Sequence, residues 1–297
     1  MVTTVSTAKD IVADILADVA ARESRLPFVD IKALSRAVPA ARPVIPVLSQ
    51  PGCSVIAEIK RAKPAAWYEP AARYEPAPRY GKVPEALIDF GAIDSLADVA
   101  SLAQGFESAG VAAIACQTER LRFRGSLEDM ATARSATSAP MLCRDIIVDP
   151  YQVHEARFFG ADMVPLQVEL LEQPRLEALV DRIESLGMTA LAEIRSEEQA
   201  QRAMAAGVSV VGINARELDS RSLQPDRFAA IVPHLPDSVI RIGLGGIMGV
   251  REIWRYAGWG ADAVLVGEAL MAAPQPADVA RALVAAGVHP ACPMRRL

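Results

Sequence analysis

Eight short runs rich in β-branched residues, at 54–58, 111–116, 140–143, 161–165, 188–193, 209–213, 238–242 and 262–266, recur along this 297-residue chain. From the second run onward their starts lie 21 to 29 residues apart. That interval holds one strand, one helix and two short loops, and the segments between the runs carry a helical period. Leu176, Leu179, Val180, Ile183 and Leu186, for instance, share one helix face. Asp149 before Pro150 supplies an N-cap followed by proline at the first helical position, where the missing N–H has no bond to lose. Strands apolar on both faces belong to a parallel sheet covered by helices. Eight strand–helix units in about 240 residues fit a closed (β/α)8 barrel. An open doubly wound sheet is the alternative, but no GxGxxG follows an early strand to support its dinucleotide-binding form. Residues 7–37, with helical patterns at 9–22 and 30–37, precede the first strand and are expected as a helical extension across one end of the barrel. The chain 1–297 is expected to form a single domain.

Composition narrows the chemistry. Three histidines and four cysteines lie far apart with no metal-ligand spacing, so no metal site is expected. Thirty-one basic and thirty-six acidic residues are interspersed, leaving a formal charge of -5 and no electrostatic footprint for nucleic acid. The N-terminus lacks the basic start and apolar run of a signal peptide, and no stretch approaches the roughly 20 apolar residues of a membrane span. A cytoplasmic protein with reduced thiols, acting on a small molecule as a monomer or homodimer, is the expectation.

In a barrel of this kind chemistry sits on the loops after the C-terminal ends of the strands. Strand one ends in Ala57-Glu58-Ile59-Lys60-Arg61, and strand alternation sends Glu58 and Lys60 to the same side. Strand three runs into Cys143-Arg144-Asp145, strand five ends at Glu193, and strand six ends in Gly212-Ile213-Asn214-Ala215-Arg216. A single polar residue at a strand end is ordinarily a surface ion pair. Several converging on one mouth point to a catalytic site. After strands seven and eight come Gly243-Leu244-Gly245-Gly246-Ile247 and Gly267-Glu268-Ala269, whose small residues let backbone N–H groups approach an anion, as a phosphate cradle requires. Residues 63–84 break the rhythm. Tyr68, Tyr74 and Tyr80 lie six apart among prolines that exclude a regular helix or central strand, leaving an irregular loop at the catalytic end, either solvated or closing over a substrate.

Four segments carry a resemblance to a known family: Val55-Ile-Ala-Glu-Ile-Lys-Arg-Ala62, Arg144-Asp-Ile-Ile-Val-Asp-Pro-Tyr-Gln152, Gly212-Ile-Asn-Ala-Arg216 and Ala261-Asp-Ala-Val-Leu-Val-Gly-Glu268. They resemble the signature segments of indole-3-glycerol phosphate synthase, and the likeness runs through most of residues 50–287. The resemblance implies a (β/α)8 TIM barrel with an N-terminal helical extension and no metal or organic cofactor. It implies conversion of 1-(o-carboxyphenylamino)-1-deoxyribulose 5-phosphate into indole-3-glycerol phosphate by ring closure, loss of carbon dioxide and dehydration, in the tryptophan pathway. Carried over by position, it makes Glu58 and Glu193 the active-site carboxylates, with Glu193 the proton acceptor in dehydration. Lys60 would hold anionic parts of the substrate and donate a proton. Asn214 and Arg216 would orient the ring and its carboxylate, and the backbone around Gly245, Gly246 and Gly267, with Glu268 beside it, would take the phosphate.

The chain departs from that pattern at several positions. The family's Lys-Asp-Phe, whose lysine is the general acid for ring closure, is Arg144-Asp145-Ile146 here, and an arginine is effectively never deprotonated. The family's Ser-Glu-Ser-Gly is Gly243-Leu244-Gly245-Gly246, its Gly-Glu-Ser is Gly267-Glu268-Ala269, and its Ser-Pro-Ser is Lys63-Pro64-Ala65. Three functional expectations follow. The favoured one is a divergent, synthase-like lyase and cyclase of specialised metabolism, recruited to a related phosphorylated, arylamine-bearing or ketose-like substrate, with Arg144 anchoring an anion. The second is the orthodox synthase, with Lys63 a possible surrogate acid. The third is a barrel that binds a phosphate ligand without chemistry.

Overall fold

The computed structural model describes residues 8–64, 87–218 and 222–293. Eight parallel strands close into a barrel: β1 (Ser54–Ile59), β4 (Ala113–Gln117), β5 (Met141–Arg144), β6 (Met163–Gln167), β7 (Thr189–Ile194), β8 (Val210–Asn214), β9 (Ile240–Leu244) and β10 (Ala263–Val266), with β10 returning to pair with β1. Each expected strand is present, its C-terminal end at the expected residue or up to two residues later. Between them run the covering helices α4 (Leu96–Ser108), α6 (Leu127–Ala136), α7 (Pro150–Phe158), α8 (Gln173–Ser185), α9 (Glu197–Ala205), α10 (Arg227–Ile231) and α11 (Val250–Gly258), with α13 (Pro276–Gly287) after β10. Short helices α5 (Arg120–Phe123) and α12 (Glu268–Met271) follow β4 and β10. The expected cap is in place: Asp149 accepts from the Tyr151 N–H at 2.8 Å, and the Gln152 side chain accepts from the Asp149 N–H, closing a capping box at the start of α7.

Side-chain alternation divides the core into two shells. Ile56, Ala113, Ala115, Leu142, Met163, Leu191, Val210, Ile240, Ile242, Ala263 and Leu265 pack against one another inside the barrel, while Val55, Ala57 and Ile59 of β1 face the helices. A short helix α3 (Ile45–Leu48), just before β1, sends Val44 and Leu48 into the inner shell and stoppers the N-terminal end. The residue two positions beyond an inner-shell residue stands at the opposite, open end, and that arithmetic decides which side chains form the mouth.

The N-terminal extension is two helices, α1 (Ala8–Glu23) and α2 (Phe28–Ala37), matching the expected patterns. It is fastened to α7 by the Tyr151 hydroxyl donating to the Leu26 carbonyl at 2.9 Å, the Arg22–Glu155 ion pair at 2.9 Å, and Ser35 on the His154 Nδ1 at 2.7 Å.

The 63–84 stretch corrects one expectation. Its first residues are not irregular: β2 (Ala62–Pro64) pairs antiparallel with β3 (Leu87–Asp89), with Lys63 opposite Ile88. Pro64 sits on a two-stranded edge where its missing N–H leaves no central ladder broken. Residues 65–84, with the three tyrosines, lie outside the described residues. Among the described residues no helix is long and apolar enough to cross a membrane.

Candidate active site

The open end of the barrel holds a cavity of about 110 Å³. Its wall is built from the residues one alternation step beyond the inner shell. Ile56 is followed by Glu58 and Lys60, Ala115 by Gln117, Leu142 by Arg144, Leu191 by Glu193 and Leu265 by Gly267, and all of these line the cavity. Asn214, Arg216, Gly245, Gly246 and Glu268 line it as well.

Four charges of alternating sign form the floor. The Lys60 ammonium donates to Glu58 Oε2 at 2.7 Å, both side chains nearly out of solvent. Arg144 donates through Nη1 to Glu193 Oε1, and its Nε lies 3.7 Å from Glu58 Oε1. Arg144 therefore bridges the two expected catalytic carboxylates. Burial opposes its charge, but the negative charges of Glu193 and Glu58 outweigh that effect and hold its pKa above the ordinary arginine value. Two carboxylates and two cations leave this layer electrically balanced, which lets it be buried.

Asn214 links this layer to the loops above. Its Nδ2 donates to Glu193 Oε2 at 3.4 Å and its Oδ1 accepts from the Arg216 N–H at 3.0 Å. Gly245 and Gly246 follow with φ of +83° and +74°, the left-handed region in which a side chain is strained. That pair turns the backbone along the cavity wall beside Asn214. Gly267 has a different reason to be glycine: a Cβ there would stand 2.1 Å from Glu58 Oε2. The glycine leaves room for the carboxylate at the cavity floor.

Lys63 departs from expectation. It does not line the cavity, where a surrogate acid would have to stand. Strand β2 buries it at 2% exposure, its ammonium on Glu268 Oε1 and 5.7 Å from the Phe90 ring centre. Glu268 faces the cavity and is shared with Arg216, whose Nη2 lies 3.4 Å from Glu268 Oε2. Lys63 stands behind that carboxylate rather than at the reacting end.

Five further polar side chains outside the expected set line the cavity: Gln117, Asp145, Gln167, Arg195 and Glu217. Gln167 Nε2 donates to the Asp145 carbonyl at 3.0 Å. Arg195 Nε donates to the Arg216 carbonyl at 2.8 Å, and burial pulls its pKa down. Asp145, next to Arg144, accepts from Thr118 Oγ1 at 2.6 Å; burial pushes its carboxyl up to about 7. Gln117 and Gln167 close strands that run one and two residues past the β-branched runs, so their side chains fell outside the expected strand ends.

Comparison with known proteins identifies the family. The family model of indole-3-glycerol phosphate synthase matches residues 89–283. An indole-3-glycerol phosphate synthase of Mycolicibacterium vanbaalenii is 45% identical over 283 residues, 95% of each chain. One of Mycobacterium tuberculosis is 45% identical over 277 residues, 93% of each chain. Among solved structures, an N-acetylmannosamine-6-phosphate 2-epimerase from Clostridium perfringens superimposes with a TM-score of 0.54 at 18% identity, over 78% of this chain and 93% of that one, a likeness of fold alone. Relatives this similar along nearly the whole chain lend no support to the expectation of a recruited substrate, and they favour the orthodox alternative. With a family model spanning most of the barrel and relatives matching along almost its whole length, the chain belongs to the indole-3-glycerol phosphate synthase family, and is an enzyme of the carboxy-lyase and cyclase class.

Proposed function

We propose that this enzyme converts 1-(o-carboxyphenylamino)-1-deoxyribulose 5-phosphate into indole-3-glycerol phosphate, carbon dioxide and water. The observation that carries the reading is the convergence of Glu58, Lys60, Glu193, Asn214 and Arg216 on one cavity in a chain of this family. The substrate's phosphate lies along the backbone of Gly245, Gly246 and Gly267, and its aryl carboxylate faces Arg216 and Asn214.

Ring closure joins the ring carbon bearing the carboxylate to the ketone carbon, and the ketone oxygen must gain a proton. Arg144 cannot supply it, because a guanidinium with two carboxylates beside it does not give up its proton. It instead places a permanent positive charge where the oxyanion develops. Lys60, held by Glu58 at 2.7 Å, is the proton donor. Loss of carbon dioxide restores the aromatic ring. In the last step the hydroxyl leaves as water with a proton from Lys60, and Glu193 takes a proton from the carbon next to the amine nitrogen. One lysine thus serves two protonations, regaining its proton from solvent water between them, with Arg144 as an electrostatic support.

Complementation tests this reading. The chain is expected to restore growth without tryptophan to a strain lacking its own indole-3-glycerol phosphate synthase, and failure of a well-expressed chain to do so would count against it.

A further inference from the structure

Gln167 is a covered polar side chain with a partner on only one of its two ends. Its exposure is 5%, its Nε2 donates to the Asp145 carbonyl at 3.0 Å, and its Oε1 is buried with no donor. The amide cannot be turned the other way, because the Asp145 carbonyl can only accept. A buried acceptor without a donor is costly, and a ligand that brings one to it is favoured.

Its neighbours say which donor. Gln167 is the register partner of Glu193, so the two side chains stand side by side on adjacent strands, in the wall of one cavity. Neighbouring strands lie about 4.8 Å apart. Glu193 is the group that takes a proton from the carbon next to the substrate's amine nitrogen. The atom bonded to that carbon on the aryl side is the amine nitrogen, whose N–H is the substrate donor nearest the group on which Glu193 acts.

We infer that Gln167 accepts the arylamine N–H of the substrate and thereby activates the ring for closure, a role that rests on the proposed synthase activity. Drawing the N–H toward an acceptor raises electron density on nitrogen and, through the ring, on the carboxylate-bearing carbon that attacks the ketone. No proton leaves nitrogen in the step: the C–C bond forms from the ring's π electrons, the ketone oxygen takes its proton from Lys60, and the N–H remains. Gln167 would also select for a secondary amine, since an analogue without the N–H leaves its oxygen unpaired.

Two inert probes test the assignment: the substrate reduced to an alcohol at its ketone, which cannot close a ring, and the same compound with an ether oxygen in place of the N–H. The wild-type enzyme is expected to bind the amine about tenfold more tightly than the ether. Gln167→Leu is expected to bind the two alike and to turn over the true substrate about tenfold more slowly. If Gln167→Leu does not fold, the straighter Gln167→Met replaces it. Equal affinity of the wild-type enzyme for both probes, with normal synthase turnover, overturns the role of Gln167 and leaves the function standing. Binding of neither probe, with no turnover, overturns both.

Discussion

Arg144 sits between two carboxylates, on Glu193 and 3.7 Å from Glu58, and this arrangement decides how its substitutions should behave. Arg144→Lys keeps a positive charge there and restores a titratable donor, so kcat should change by less than about tenfold. Arg144→Ala leaves two buried carboxylates facing each other, and kcat should fall by about 10²-fold or more, with a loss of thermal stability measurable by calorimetry. Glu193→Gln keeps the shape of the side chain and removes the proton acceptor. Steady-state kinetics should show a drop in kcat of about 10²- to 10⁴-fold with KM little moved. The glycines at this scale are not interchangeable. Gly267 makes room for the Glu58 carboxylate and Gly245 supplies a left-handed turn, so Gly267→Ala should damage the site directly by displacing Glu58.

At the scale of elements, the barrel was legible because its constraint is periodic. Strand runs, helix faces and the Asp149 cap each follow from local rules, and all point to the same answer. Asp149→Ala should cost about 1 kcal/mol, read from denaturant unfolding, because it removes the acceptor for the Tyr151 N–H. The ends of elements were less legible. Strands β4 and β6 run on into Gln117 and Gln167, polar residues that end a β-branched run by composition but extend the ladder by pairing with Arg144 and Glu193. Hydropathy marks where a strand is dry, whereas the ladder continues into the polar mouth. The same limit hid Lys63: a lysine followed by proline suggests a loop, but pairing with residues 87–89 makes it a strand and seats its ammonium behind Glu268. Of the candidate site, the charged residues at strand ends were legible by alternation. Partnerships between loops distant in sequence were not, since nothing local encodes them.

Across the whole molecule, one of the contacts that join the N-terminal helices to the barrel is made by a buried imidazole. His154 is fully covered between α2 and α7, with Ser35 on its Nδ1 and the Phe28 ring edge-on at 5.4 Å. Burial, reinforced by the charges of Arg182, Lys32 and Arg36, pushes its pKa down to about 4. The folded chain therefore holds the neutral form while the unfolded chain takes up a proton below about 6.5, so stability present above that pH is lost as pH falls toward 4. Thermal midpoints should decline more steeply over that window for the wild-type enzyme than for His154→Gln. The central claim, that one lysine carries both protonations of an indole-forming reaction while an arginine holds the carboxylates, is tested most directly by turnover. Purified enzyme given 1-(o-carboxyphenylamino)-1-deoxyribulose 5-phosphate should release indole-3-glycerol phosphate over many turnovers, followed by indole fluorescence, and Lys60→Met should lower that rate by about 10³-fold. A wild-type enzyme that forms no indole product, or a Lys60→Met variant that forms it at the wild-type rate, would contradict the account.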